Sequence, residues 1–411
     1  MNKFITWEAV FWASLTAVLY TYVLYPLLLL VLASAVQAAR DLSFAVGRRM
    51  RRSQSPVSPP PSVAMLVSAS DEEDVIEVKL RNTAELDYPA QQLEFLLGLD
   101  APSDSTPMRA QRVTHPSFQV FHFSVRRGKL AVINDLAAHT SADILVFSDA
   151  NTRLEPGCLR SMVRHFADPQ VGAVCGELRL ENAPGQTATE SLYWRYEVAL
   201  KFLENRLNCV LGANGAVYAI RRSHYHPVEH AIVEDFQIPM NIRYAGHRVV
   251  YDPEAIGIEE VAPDFFSEFR RKVRIGAGDY QILFGNLRFL NPFVGMPAFA
   301  YFSHKVLRWL APGFLLTLLA SSFILAAQPV YATACVAQLT FFLAALAGFR
   351  RIQRGRPLGW TSLPLYFSAM NLALLLGLLR LLSGRQKAVW GVTRRRAPGA
   401  DVAHARGEVH E

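Results

Sequence analysis

Apolar residues along this chain fall into two regimes. Residues 9–39, 309–349 and 357–379 contain no charged side chain. A helix needs about 20 apolar residues to cross a bilayer. The first and third runs therefore predict one spanning helix each, and the second predicts a hairpin of two turning at Gln328 and Pro329. Between the first and second runs the pattern is different. Residues 63–67, 93–99, 119–123 and 144–147 read as short buried strands, and residues 74–86 and 129–139 as helices. Such alternation predicts an α/β domain on a mostly parallel sheet with right-handed crossovers.

The same pattern divides the chain. Residues 1–39 are expected to form a transmembrane anchor, 40–62 a basic, Pro-rich linker and 63–290 the α/β domain. Residues 291–305 would be interfacial, 306–382 would hold three transmembrane helices, and 383–411 form a basic tail. The first run is too long for a secretory signal and lacks a small-residue cleavage site, so it is read as a retained anchor.

Charge then orients the spans. Arg40, Arg48, Arg49, Arg51 and Arg52 follow the first run, and Arg350, Arg351, Arg354 and Arg356 follow the hairpin. The positive-inside rule puts both clusters, and with them the α/β domain, on the cytoplasmic side of the inner membrane. Arg385, Lys387 and Arg394 to Arg396 follow a span that should exit outward, which leaves the side of the tail open. The net charge of +7 comes largely from these flanks and reads as contact with anionic headgroups, not nucleic acid. Cys158, Cys175, Cys209 and Cys335 lack metal-ligand spacing and are expected to be free thiols. His224, His226 and His230 are read as structural loop residues.

Candidate chemistry lies where the strands end. Three of these four strands run into acidic turns, placing Asp71 and Glu73, then Asp100, then Asp149 and Asn151, at one edge of the sheet. The carboxyl edge of an open α/β sheet is where ligands bind. Asp149 and Asn151 form a hard-oxygen pair suited to Mg²⁺ or Mn²⁺ holding a diphosphate. Further on, Gly212 and Gly215 flank Asn214 and permit close backbone approach, and Glu234 and Asp235 form an acidic pair at a helix start.

The order proline-rich lead, strand, Ser-Asp-Glu-Glu, strand, Asp-x-x-Ser-Asp, Arg-Gly-Lys, strand, Asp-Ala-Asn resembles the nucleotide-sugar-binding half of family 2 inverting glycosyltransferases. It is similar as well to their membrane-bound polysaccharide-synthase branch. The resemblance covers about residues 60–290 and implies a GT-A-like domain flanked by transmembrane helices. It implies that Asp71, Glu73, Asp100, Lys129 and Asp149 bind the donor, and that Asp149 and Asn151 hold Mg²⁺ or Mn²⁺. Gly212, Asn214 and Gly215 would line the acceptor site, Asp235 would be the base and Glu234 its neighbour. Arg271 and Arg274 match the polar positions of a Gln/Arg-x-x-Arg-Trp motif and would hold the leaving diphosphate.

Two departures from the family pattern change the picture. Asn151 stands where a second Asp is common, which weakens metal binding, and Ile275 stands where polymerising members carry Trp. The expected donor is a UDP-linked nucleotide sugar, and the acceptor a growing polysaccharide passed to export partners or a lipid headgroup. The alternative is a catalytically impaired nucleotide-sugar-binding partner in a glycan assembly complex.

Overall fold

A computed structural model describes residues 2–47, 59–181, 189–229, 232–261 and 264–384. The basic and Pro-rich stretch at 48–58, His230 and the tail from 385 onward lie outside the described residues. The chain separates into two compact units. One comprises Leu42–Gln186 and Asn208–Ser267, the other Met1–Asp41, Thr187–Leu207 and Glu268–Gln386.

Among the described residues the first unit is built on eight strands: β1 (Val63–Ala69), β2 (Leu93–Asp100), β3 (Phe118–Phe123), β4 (Ile144–Phe147), β5 (Arg153–Leu154), β6 (Val171–Glu181), β7 (Tyr218–Arg221) and β8 (Arg248–Glu260). They lie in the order β3-β2-β1-β4-β7-β6-β8-β5. The first four pair in parallel, with Leu66 opposite Phe147 and Ala69 opposite Leu99. Their carboxyl ends, and the turns that follow, therefore share one edge. β7 then runs antiparallel to β4, with Phe147 opposite Tyr218, so the loop entering β7 comes in at that same edge.

Burial explains why these runs form strands. Six of the seven β1 residues and seven of the eight in β2 are buried, as expected where helices cover both faces. Each fully buried Val or Leu contributes about 1.5–3 kcal/mol, enough to fix the register of these short strands. Gly98 in β2 has a specific reason. A Cβ there would lie 2.2 Å from Val132 of the helix Lys129–Ala138. Only glycine lets that helix approach the sheet, and its first residue is Lys129.

Among the described residues four helices, lying almost wholly in the second unit, are long and apolar enough to cross a membrane: Thr6–Gly47, Met296–Ile324, Pro329–Gln353 and Gly359–Leu382. The first runs on past Arg40, where a linker was expected, because nothing breaks a helix before Gly47. The second starts at Met296, inside the stretch expected to be interfacial. It carries His304, Lys305 and Arg308, and these meet acids on the helix Thr189–Arg206. Glu204 accepts from Tyr25 Oη at 3.0 Å and lies 2.6 Å from His304 Nδ1. Glu197 pairs with Arg308, and with Lys305 at 3.7 Å. Charges within apolar helices persist when paired in this way. The helices Thr189–Arg206 and Phe265–Gly285 fall within residues 63–290, yet nearly all of both groups with the apolar helices. All four cysteines are free and buried.

Candidate active site

The turns at the carboxyl edge interlock. Asp71 Oδ1 accepts the Ser103 amide at 2.7 Å and its hydroxyl at 2.9 Å, and Arg126 lies 3.3 Å from Oδ2. Those contacts, the Ser103 amide foremost, hold the Asp71 carboxyl below its ordinary range. Glu73 Oε2 accepts the Ser105 amide at 3.1 Å, while Asp104 Oδ2 accepts the Glu73 amide at 3.1 Å. Asp71 and Glu73 thus join the β1 and β2 turns into one rim.

Asp100 works inward. It is 3% exposed, and its two oxygens accept the Arg127 amide at 2.7 Å and the Gly128 amide at 2.8 Å. Gly128 has φ +88, a conformation that a side chain would strain, and it caps the Lys129–Ala138 helix. Asp100 and Gly128 together set where Lys129 begins. A nucleoside contact expected at Asp100 would share a carboxylate already engaged by two amides.

Lys129 is the hub. Its Nζ lies 2.7 Å from Asp149 Oδ1 and 2.7 Å from Glu234 Oε1. Burial alone would lower its pKa, but the two carboxylates outweigh that effect and hold it above the ordinary lysine value. Beside Glu234, Asp235 Oδ2 accepts the Gly215 amide at 2.8 Å. Burial, then the like charge of Glu234, pushes the Asp235 carboxyl up to about 6. The structure therefore brings Asp149, Lys129, Glu234, Asp235 and Gly215 into one cluster, tied through Gly128 to Asp100.

The glycines at 212 and 215 make room for protein groups. A Cβ at Gly212 would lie 2.6 Å from the Phe236 ring, and one at Gly215 would lie 3.2 Å from Asp235 Oδ2. Asn214 Nδ2 reaches Gly176 O at 3.4 Å, the outer limit of a hydrogen bond. The acidic pair starts the helix Glu234–Tyr244, whose N-terminal dipole favours carboxylates. Arg271 and Arg274 belong to the helix Phe265–Gly285, in the part grouped with the apolar helices. Glu268 holds Arg271 through two contacts of 2.8 and 2.9 Å.

The metal expectation meets a sparse donor set. Among the described residues no group of three or more His, Cys, Asp and Glu side chains is placed to hold a metal. Asp149 and Asn151 alone cannot fill six positions. Mg²⁺ is commonly held by one or two carboxylates together with substrate phosphates and water, and a pair of this kind fits that role. Asn151 Nδ2 is buried without a hydrogen-bond partner, and it is the amide oxygen that would face a cation.

Two residues escaped the sequence reading. Tyr218 stacks on Phe147 at 4.4 Å, and its buried hydroxyl has no hydrogen-bond partner. Burial, then Glu234 and Asp235, raise its pKa well above the ordinary tyrosine value. Lys79 is buried beneath the Asp149 turn, and burial pushes its pKa down to about 8. Ile76, Leu80 and Thr83 are buried on the same helix, so a lysine at helical spacing among them was the available signal.

Comparison with known proteins converges on one family. A beta-monoglucosyldiacylglycerol synthase from Synechocystis is 33% identical over 124 residues, covering 28% of this chain and 25% of that protein. An N-acetylglucosaminyltransferase from Rhizobium leguminosarum is 24% identical over 233 residues, 52% of this chain and 54% of that one. This chain thus spans between a quarter and about half of those two relatives. A mannosyltransferase from Pyrobaculum calidifontis, solved with GDP-Man and Mn²⁺, superposes with a TM-score of 0.67 at 22% identity. The match covers 92% of this chain and all of that one, and at that identity it speaks for the GT-A fold. Residues 144–383, more than half of the chain, match the profile described as glycosyl transferase family group 2. Strand order, acidic edge and profile agree, and the chain belongs to that family of GT-A glycosyltransferases.

Proposed function

We propose that this protein is an inverting glycosyltransferase of the inner membrane, moving a hexosyl or N-acetylhexosaminyl unit from a UDP-sugar to a lipid or glycan acceptor at the cytoplasmic face. The observation that carries this reading is Asp235: a carboxyl pushed up to about 6, aimed by the Gly215 amide and set beside the Lys129–Asp149–Glu234 cluster. Inversion needs one base at the acceptor hydroxyl, on the face opposite the leaving group. A half-buried carboxylate with a raised pKa is a stronger base than an exposed one and remains ionised at neutral pH.

The other residues divide the remaining tasks. Asp71 and Glu73 brace the rim against which the nucleoside would lie, and Asp100 fixes the start of the Lys129 helix. Lys129 bridges the donor side at Asp149 and the acceptor side at Glu234, and its charge would help hold the diphosphate. Asp149 and Asn151 would hold Mg²⁺ or Mn²⁺, which when bound offsets the charge of the departing diphosphate. Arg271 and Arg274 would add bidentate contacts to that group. Gly212, Asn214 and Gly215 form the backbone platform on which Asp235 rests, and the acceptor would approach over it.

Four apolar spans, with Arg40 in the last part of the first and Arg350 and Arg351 ending the third, support a cytoplasmic placement of the sheet unit. A lipid acceptor is favoured by Ile275, an aliphatic residue that offers no aromatic platform for a sugar chain.

The test is a panel of UDP- and GDP-sugars in membrane vesicles with Mg²⁺ or Mn²⁺, scored by nucleoside diphosphate release and the anomeric configuration of the product. Asp235→Asn should retain nucleotide binding and lose turnover by about 10²–10⁴-fold. Retained configuration, or full turnover in Asp235→Asn, would overturn the reading. Label in a lipid extract against label in an ethanol precipitate separates the two acceptors.

A further inference from the structure

The turn bearing Asp149 and Asn151 is closed by the Thr152 amide donating to the Asp149 carbonyl at 3.2 Å, and one side chain spans it from inside the protein. Lys79 lies on the helix Ile76–Ala84 and is 2% exposed. Its ammonium donates to Ser148 Oγ at 2.6 Å and to the Thr152 carbonyl at 2.8 Å. These two residues bracket Asp149, Ala150 and Asn151, so a single group ties the start of the turn to its end. Thr152 is fixed again on its hydroxyl, which donates to Glu259 Oε1 at 2.5 Å, and Glu259 is 3% exposed. Three residues along the same helix, Asn82 grips Leu154 through both its amide and its carbonyl, each at 2.8 Å.

A buried ammonium is costly unless its donors are used, and an apolar residue would fill this space without that cost. What the ammonium adds is direction: several donors in one group, placed where two acceptors four residues apart must be brought together. Asp149 is then controlled from both sides. Lys129 engages its carboxylate, and Lys79 anchors its backbone through the neighbours.

We propose that Lys79 is a positioning residue for the divalent ion: by tying Ser148 to Thr152 beneath the turn, it preforms the separation and aim of Asp149 and Asn151 before metal and nucleotide arrive. The inference rests on the metal-assisted reading above, and its test separates the two. Groups that orient metal ligands without touching the metal change affinity by about 10–100-fold when removed. Asn82 supplies the internal control, because it grips the same loop outside the bracket.

The experiment is a Mn²⁺ titration followed by electron paramagnetic resonance, on the purified full chain in nanodiscs, with UDP and in parallel with GDP. Wild type should take up Mn²⁺ in a nucleotide-dependent way and Asp149→Asn should lose it. Absence of uptake by wild type overturns the metal reading and the inference with it. Given uptake, Lys79→Met should weaken Mn²⁺ affinity about 10–100-fold. Asn82→Ala should lower Tm and leave that affinity unchanged. A folded Lys79→Met with wild-type Mn²⁺ affinity, or an equal loss in Asn82→Ala, overturns the inference while the metal reading stands. Should Lys79→Met not fold, Ser148→Ala carries the test: several-fold weaker Mn²⁺ binding with Tm within a few degrees supports the bracket, and unchanged binding overturns it.

Discussion

Lys129 and Glu234 stand more than a hundred residues apart in the chain, yet the lysine ammonium lies 2.7 Å from Glu234 Oε1 and holds Asp149 at the same distance. One cation therefore balances two carboxylates in a largely buried setting, with Lys129 only 11% and Glu234 only 7% exposed. Breaking such a pair leaves uncompensated charge inside the protein, a cost of about 3–5 kcal/mol. Lys129→Met is expected to lower stability by that order. Adding Glu234→Gln to it should restore part of the loss, because one of the two orphaned charges is gone. A double-mutant cycle by thermal unfolding checks this, and simple additivity of the two changes would show that the groups do not act as a unit.

Asp235 gives the pH dependence its sign. The base acts when deprotonated, and with a pKa near 6 it is protonated at lower pH. Below about pH 6, kcat/KM should fall tenfold per pH unit, with a plateau above. Burial is the first cause of the raised value and the like charge of Glu234 the second. In Glu234→Gln the acid limb should move to lower pH, since a neutral neighbour no longer opposes ionisation. Profiles of kcat/KM for both proteins decide it, and a limb that stays in place or moves upward rules out this electrostatic coupling.

Gly215 should be sensitive in turnover more than in stability. A Cβ there would lie 3.2 Å from Asp235 Oδ2, so alanine presses directly on the base, while at 3.5 Å from Lys129 Nζ it makes only ordinary contact with the hub lysine. We expect Gly215→Ala to lose about tenfold in kcat, equivalent to about 1.4 kcal/mol, with donor KM nearly unchanged. Gly157, where an added methyl would meet nothing within 4 Å, is the control whose alanine variant should be indifferent. Equal effects at the two positions would remove Gly215 from the aiming of Asp235.

Much of this was legible in the sequence, for reasons that differ by element. β1, β2, β3 and β4 are short apolar runs closed by polar turns, and such runs carry their own boundaries. The convergence of their turns followed from parallel pairing alone. β6 and β8 were harder: they pair along most of their length, but two register shifts and polar residues such as Arg179 and Glu254 interrupt any simple alternation. Lys79 was missed because a lysine on a helix ordinarily reads as solvated, and its acceptors, Ser148 and Thr152, are distant in the chain. The grouping of Thr189–Arg206 with the apolar helices was equally hidden. It depends on Glu197 and Glu204 meeting Arg308 and His304, and nothing local to either segment announces the other.

The contact at Gly377 yields the last prediction. A Cβ there would lie 2.7 Å from Ala277 N, 2.8 Å from Gly276 C and 2.9 Å from Val273 O. The span containing Ser362–Leu382 thus packs backbone against backbone on the helix Phe265–Gly285, with Gly276 facing Leu374 in the reciprocal contact. Small residues serve this purpose between membrane helices, where close approach replaces the hydrophobic drive. Val273 is flanked by Lys272 and Arg274, so any added atom at 377 must shift the segment that carries the arginines proposed to hold the diphosphate. Gly377→Val is expected to raise donor KM about tenfold or more while all four spans still insert. Gly285→Ala, at the open end of the same helix with nothing within 4 Å, should leave KM as it is. Donor kinetics in vesicles, paired with protease protection to verify insertion, check the expectation. A Gly377→Val protein that inserts correctly and keeps the wild-type donor KM would show that transfer does not depend on where this helix sits.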